Sequence, residues 1–258
     1  MLFLRCFNVS NTYLYMMRIE ICTNGYQSVI NAQENGAHCA ELCESLEVGG
    51  VTPSYGTLKK VASDMKIPVR VLIRPRSGNY IYNEAELEMM CLDIKLIKEL
   101  GYEGVVIGAL NENGDLDVPK IKAMMKAGEG MKFTFHRAID ACNNPLDALK
   151  TLVELGFDKV LTSGCKPKAV DGIEMIRKMQ EQFGDKIKIM AGGGVNLNNV
   201  MTIINETGVS NCHASLTVDV ENYGQKLYPE KVDNTGAAMC WKVSSPSIIN
   251  EMLKMVKN

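Results

Sequence analysis

The sequence predicts an α/β fold, a (β/α)8 TIM barrel, and three observations lead there. From Arg18 onward, short apolar runs alternate with longer amphipathic ones, the signature of parallel strands joined by helices. Eight such pairs can be counted before the chain ends, and eight pairs in roughly 240 residues is the size of a closed barrel. No strand is followed by a Gly-x-Gly-x-x-Gly turn, which removes the main reason to prefer an open dinucleotide-binding sheet.

Residues 1–17 stand apart from this rhythm. They read as an extra N-terminal segment outside the fold, a translation start placed ahead of a natural one at Met17 in preference to a weak signal peptide, and residues 18–258 as a single TIM-barrel domain. Arg18–Cys22 is the first strand and Tyr26–Asn35 the first helix, stopped by Gly36. His38–Cys43 is the second strand, followed by a loop with Gly49 and Gly50 and a helix over Ser54–Lys66. Pro68–Arg74 is strand three. Asn83 caps a long helix that Gly101 closes after Leu100. Gly104–Gly108, Lys132–His136, Lys159–Ser163, Lys186–Ala191 and Asn211–Ser215 supply the other strands. Val118–Gly128, Pro145–Leu155, Ala169–Phe183, Leu197–Glu206 and Ser247–Lys257 supply the other helices. Pro119 and Pro145 fall near helix starts, where proline costs no backbone donor. Thr217–Lys242 is read as one long loop, a length that usually carries function.

Composition narrows the function classes. With 46% hydrophobic and 22% charged residues the chain is an ordinary globular protein. A net charge of −2 gives no basic surface for nucleic acid, and no apolar run approaches the roughly 18–20 residues that span a bilayer. The expected partners therefore exclude nucleic acid and membrane. Nine cysteines include no Cys-x-x-Cys pair, against a closed zinc knuckle. Their odd number, with no convincing export signal, points to reduced thiols in the cytoplasm. Sixteen scattered methionines read as core filler.

Side chains on a strand alternate between faces. Ile19 and Ile21 share one face, leaving Glu20 and Cys22 on the other. Ala40 and Leu42 oppose Cys39, Glu41 and Cys43. Val69, Val71 and Ile73 oppose Arg70, Leu72 and Arg74, and Phe133 and Phe135 oppose Lys132, Thr134 and His136. The apolar face should meet the helices, so Glu20, Cys22, Glu41, Cys43, Arg74 and His136 should converge inside. Catalytic groups of such barrels gather where strands end, and Cys22, Cys43, Arg74 and His136 close theirs. Glu20 and Glu41 lie deeper and need partners, with Arg74 the expected one. The centre is placed at Thr134-Phe135-His136-Arg137-Ala138-Ile139-Asp140, which sets a histidine, an arginine and a carboxylate within five residues. A structural ion-pair network, with Arg137 bound to Asp140, is the competing reading.

At these residues the sequence resembles the CutC copper-homeostasis family. The matching runs are Ile19-Glu20-Ile21-Cys22, Glu41-Leu42-Cys43, Gly49-Gly50-Val51-Thr52-Pro53-Ser54-Tyr55-Gly56, Ile73-Arg74-Pro75-Arg76, Thr134-Phe135-His136-Arg137-Ala138, Leu161-Thr162-Ser163-Gly164 and Gly192-Gly193-Gly194-Val195. The resemblance extends from about Arg18 to the C-terminus. It implies a TIM barrel, a cytoplasmic and commonly homo-oligomeric protein, and Cu(I) binding. The chain departs from the family pattern at Ser77-Gly78-Asn79, at Thr23-Asn24 and at Leu216-Thr217.

Two functions follow as expectations. Cys22 and Cys43, ending neighbouring strands, supply soft ligands suited to Cu(I). Alternatively, Arg74, Arg76 and Arg137, with the turn Gly192-Gly193-Gly194, form an anion-binding basin. His136, Glu20 and Glu41 would then be the catalytic acid–base groups of an uncharacterised enzyme for a small anionic or phosphorylated metabolite.

Overall fold

Eight short strand segments, buried along most of their length, close into a cylinder. The computed structural model describes residues 17–220 and 241–257. Its strands are β1 (Arg18–Asn24), β2 (Cys39–Cys43), β3 (Val69–Leu72), β4 (Gly104–Ile107), β5 (Lys132–Phe135), β6 (Lys159–Thr162), β7 (Lys188–Gly192) and β8 (Asn211–Ala214). They pair in sequence order, all parallel, and β8 closes onto β1. The helices are α1 (Tyr26–Glu34), α2 (Tyr55–Asp64), α3 (Glu84–Glu99), α4 (Val118–Ala127), α5 (Pro145–Leu155), α6 (Ile173–Phe183), α7 (Val200–Thr207) and α8 (Pro246–Met255). The fold is a (β/α)8 TIM barrel. Among the described residues no helix is long and apolar enough to cross a membrane.

The outward strand faces and inward helix faces make one continuous core. Ile19, Ile21, Leu42, Val71, Ile107 and Phe135 are fully buried in it, each contributing roughly 1.5–3 kcal/mol relative to exposure. Local signals agree with the packing. Asn83 accepts from the Glu86 amide at the start of α3 while Glu86 caps the Asn83 amide, a reciprocal arrangement that satisfies two otherwise orphaned donors. The barrel interior is different. Among the described residues it holds a small apolar cluster, Cys22, Cys43, Leu72 and Val106 with Leu46 against it, alongside buried charged side chains such as Glu20, Glu41 and Lys159.

Several boundaries differ from the sequence expectation, and four stand out. Strand three ends at Leu72 because Arg74 leaves the ladder: its amide donates to Thr52 Oγ1 and its carbonyl accepts from the Thr52 amide. Strand seven starts at Lys188 because the amides of Lys186 and Ile187 finish α6 by donating to Phe183. Helix seven starts at Val200, since Asn196 and Asn199 tie up the preceding turn. The expected Thr217–Lys242 loop begins and ends in structure: β9 (Thr217–Val220) pairs antiparallel with β10 (Trp241–Ser244), and the rest of it lies outside the described residues. So does the expected extra segment, apart from Met17, which packs against the core.

Gly108, just past β4, has no room for a side chain. A Cβ there would stand 2.4 Å from His136 Cε1. Gly108→Ala should therefore overpack the mouth by about 1–3 kcal/mol and lower the melting temperature by several degrees in a thermal scan. An unchanged melting temperature would show that the His136 ring can move at no cost.

Candidate functional site

The C-terminal mouth of the barrel opens into a cavity of about 340 Å³. Strand register builds its floor. Glu20 sits directly opposite His213 on β8, and Cys22 opposite Glu41 on β2. Glu20 Oε2 accepts from Lys159 Nζ at 2.6 Å, and Oε1 meets His213 Nδ1 at 3.1 Å. His213 Nε2 lies 3.2 Å from Glu41 Oε2, so one imidazole bridges two buried carboxylates. Burial alone would push the Glu20 carboxyl up, but Lys159 and His213 hold it below the usual carboxylate range. Burial likewise opposes a charge on His213, yet Cys22, Glu41 and Glu20 raise its pKa well above the ordinary value. The carboxylates thus face an imidazolium and an ammonium, and the interior charges balance.

This corrects the expected pairing. Arg74 does not reach Glu20 or Glu41. Its guanidinium donates to the carbonyls of Val48, Gly50 and Gly78, because the chain turns away from the barrel axis after Leu72. Glu20 has both oxygens engaged and does not line the mouth cavity, whereas Glu41 does.

Above Glu41 lie the two thiols. Cys22 Sγ is 4.0 Å from Cys43 Sγ and 3.5 Å from Glu41 Oε2. Ligand atoms of Cys22, Glu41 and Cys43 all fall within 4.8 Å of one another. Contact with Cys43, then burial, raises the Cys22 thiol well above its ordinary pKa. Gly50 keeps the cluster tight: at φ +85 it needs no side chain, and a Cβ would meet Leu72 at 2.8 Å and Cys43 Sγ at 3.3 Å. Cys39 faces the other way along the axis, its thiol toward Glu20.

His136 also faces the mouth, but not as an acid–base group for neutral pH. Burial first, and Arg74 second, push its pKa down to about 3. Its Nδ1 accepts from the Ala138 amide, which places the proton on Nε2. That Nε2, and Arg74 Nε, are buried without a partner. The Tyr80 ring stands over both, 4.8 Å from the imidazole and 5.3 Å from the guanidinium.

On the opposite wall Arg137 is fixed by Asp140. Its Nε donates to Asp140 Oδ2 at 3.0 Å, and its Nη2 to Ser163 Oγ at 2.7 Å. Asp140 also takes the Ser163 and Cys165 amides and the Thr162 hydroxyl. The Arg137–Asp140 pair exists, and the arginine still lines the cavity. Gly193 lies against it: a Cβ there would touch Arg137 Cζ at 3.4 Å. Gly193 and Gly194 line the cavity, and their amides donate to no backbone group among the described residues. Gly192 ends β7 beneath them, packed on Leu161 and His213. Arg76 is elsewhere. It is clamped to Glu86 at 2.5 Å and to the Ile81 carbonyl, under Tyr82, because it belongs to the loop that caps α3.

The model for the CutC family matches residues 17–218. This chain belongs to the CutC family. A family protein CutC from Porphyromonas gingivalis is 39% identical over 238 residues, covering 92% of this chain and 96% of that one. A solved structure from Streptococcus agalactiae, provisionally described as a copper homeostasis protein CutC, superposes with a TM-score of 0.74. It is 34% identical and covers 78% of this chain and 99% of its own. N-(5'-phosphoribosyl)anthranilate isomerase from Pyrococcus furiosus has a TM-score of 0.53 at 17% identity, covering 94% of this chain and 99% of its own, a likeness of fold alone. Within this CutC-family barrel, Lys159, Tyr80 and His213 are site components that strand parity around strands one, two, three and five did not name. Strand eight held the missing signal: Asn211 and His213 alternate with Cys212 and Ala214, so His213 shares the inward parity.

The two histidines set opposite pH trends. His136 has a depressed folded pKa of about 3 against an ordinary 6.5, so the unfolded chain gains a proton first as pH falls. Stability should drop from pH 6.5 to 4.5 by up to about 1.4 kcal/mol per unit. His213 has a raised folded pKa, so its contribution is complete below 6.5 and is lost as pH rises beyond it. Denaturant unfolding of His136→Asn, which retains an acceptor for the Ala138 amide, should show a flatter acid limb than the parent. An equally steep limb would place the acid sensitivity elsewhere.

Proposed function

We propose that this chain takes Cu(I) as cargo on Cys22 and Cys43 at the mouth of the barrel. The observation that carries the reading is the 4.0 Å separation of two thiols from adjacent strands, with no disulfide between them. Thiolates are the ligands Cu(I) prefers. With a metal–thiolate bond of about 2.3 Å, as in zinc sites, a linear pair needs about 4.6 Å, a small opening from the observed distance. A bis-thiolate Cu(I) centre carries net negative charge, and the His213 imidazolium beside Cys22 offsets it. Glu41, a hard oxygen ligand, suits Cu(I) less and serves better to hold His213. The description of the related Streptococcus agalactiae protein supports the same reading.

A second reading is favoured by a separate feature. Arg137, Gly193 and Gly194 make a cationic corner with backbone donors, Arg74 lines the same cavity, and of the expected arginines Arg76 alone lies outside it. Such a corner suits the oxyanion of a small anionic or phosphorylated metabolite.

Cu(I) must displace the thiol protons, so its affinity should rise with pH, by about 100-fold per unit while both thiols are protonated. Competition with a colorimetric Cu(I) chelator measures this. Replacing both Cys22 and Cys43 with serine should abolish binding, and retention of affinity in that protein would rule the pair out. For the second reading, phosphate should raise the melting temperature more than chloride at equal ionic strength. At 100 times Kd the gain is about 2.7 kcal/mol. Arg137→Ala should remove most of it, and an undiminished phosphate effect in that variant would refute the corner.

A further inference from the structure

We propose that the barrel mouth interconverts a small phosphorylated aldose and ketose, with Glu41 as the base that moves a proton between neighbouring carbons. This rests on the anionic-ligand reading and adds the chemistry at the ligand's other end. Glu41 has one committed oxygen and one open one. Oε2 meets His213 Nε2 at 3.2 Å and the Cys22 thiol at 3.5 Å. Oε1 has no protein partner among the described residues, and Glu41, though 4% exposed, lines the cavity. A carboxylate gripped on one side and open on the other is oriented for proton abstraction. His213 is a positioning residue here: Glu20 holds its Nδ1 side, and it holds Glu41.

The other groups fit one class of substrate. Arg137, Gly193 and Gly194 receive a phosphate monoester. No lysine side chain lines the cavity among the described residues, so Schiff-base chemistry has no nucleophile there. Two N–H groups are available for an oxyanion, Arg74 Nε and His136 Nε2, both unpartnered. Both side chains pack against the Tyr80 ring, and since the two atoms are buried, an oxygen reaches them only as their cover shifts. Burial keeps His136 neutral, so it donates a hydrogen bond without giving up a proton.

The step balances without an oxidant or leaving group. Glu41 takes the proton from the hydroxyl-bearing carbon beside the carbonyl. The electron pair of that C–H bond forms the carbon–carbon double bond of an enediolate, and the carbonyl oxygen takes the negative charge facing Arg74 and His136. The proton on Glu41 then returns to the former carbonyl carbon. The hydroxyl proton passes to the other oxygen, leaving the carbonyl moved by one carbon. A cavity of about 340 Å³ is at the small end for ligand sites and suits chains of three to five carbons.

The test incubates the full, reduced, metal-free chain in D2O with triose, tetrose and pentose phosphates and follows C–H signals by proton NMR. At least one compound should exchange its α-proton. Glu41→Gln should slow that exchange about 100-fold or more while retaining the phosphate-induced rise in melting temperature, which shows it folded. Arg137→Ala should raise KM far more than it lowers kcat. No exchange in any compound, while phosphate still stabilises the parent, overturns the proposal and leaves the anion site standing. Loss of the phosphate effect in the parent overturns both. Undiminished exchange in Glu41→Gln removes Glu41 as the base.

Discussion

The Glu20 carboxylate, pinned inside the barrel between Lys159 and His213, is the interaction on which the mouth depends. Each charge would cost several kcal/mol to bury alone, and losing one partner of such a pair typically costs 3–5 kcal/mol. The three are affordable only together, and together they fix His213. His213 in turn fixes Glu41, and Glu41 orients the Cys22 thiol. Position therefore passes up the barrel from the buried ammonium to the thiol pair through four strands, β6, β1, β8 and β2.

The mouth has two unlike halves. On the β1–β2 side the groups are soft or acidic, and on the β5–β7 side they are cationic or backbone donors. Arg137 can face the cavity because Asp140, itself loaded with four other donors, holds it by one edge. Gly193 is favoured there by its backbone, at φ +100, and by Ser163, whose Cβ an added side chain would meet at 3.2 Å. A soft cation and an oxyanion would thus occupy different parts of one cavity.

His136 shows how burial redefines a residue. In the sequence it is a histidine among chemistry-bearing neighbours. In the fold it is a neutral donor, because desolvation and the Arg74 charge oppose protonation more strongly than any partner favours it. Its ring position depends on Gly108, on the neighbouring strand.

The sequence by itself determined the barrel, the order of its strands and helices, and the inward parity of Glu20, Cys22, Glu41, Cys43 and His136. Those follow from periodicity, a local property of the chain. It also placed Cys22 beside Cys43, because consecutive parallel strands are neighbours. Tertiary structure alone decided which charges meet. Lys159 lies 139 residues from Glu20, and His213 lies 193 from it, so no spacing rule could link them; closing the sheet did. The same closure sent Arg74 to loop carbonyls and Arg76 to Glu86. Strand parity gives the face on which a side chain starts, whereas the partner at the end of a long arginine depends on where loops turn.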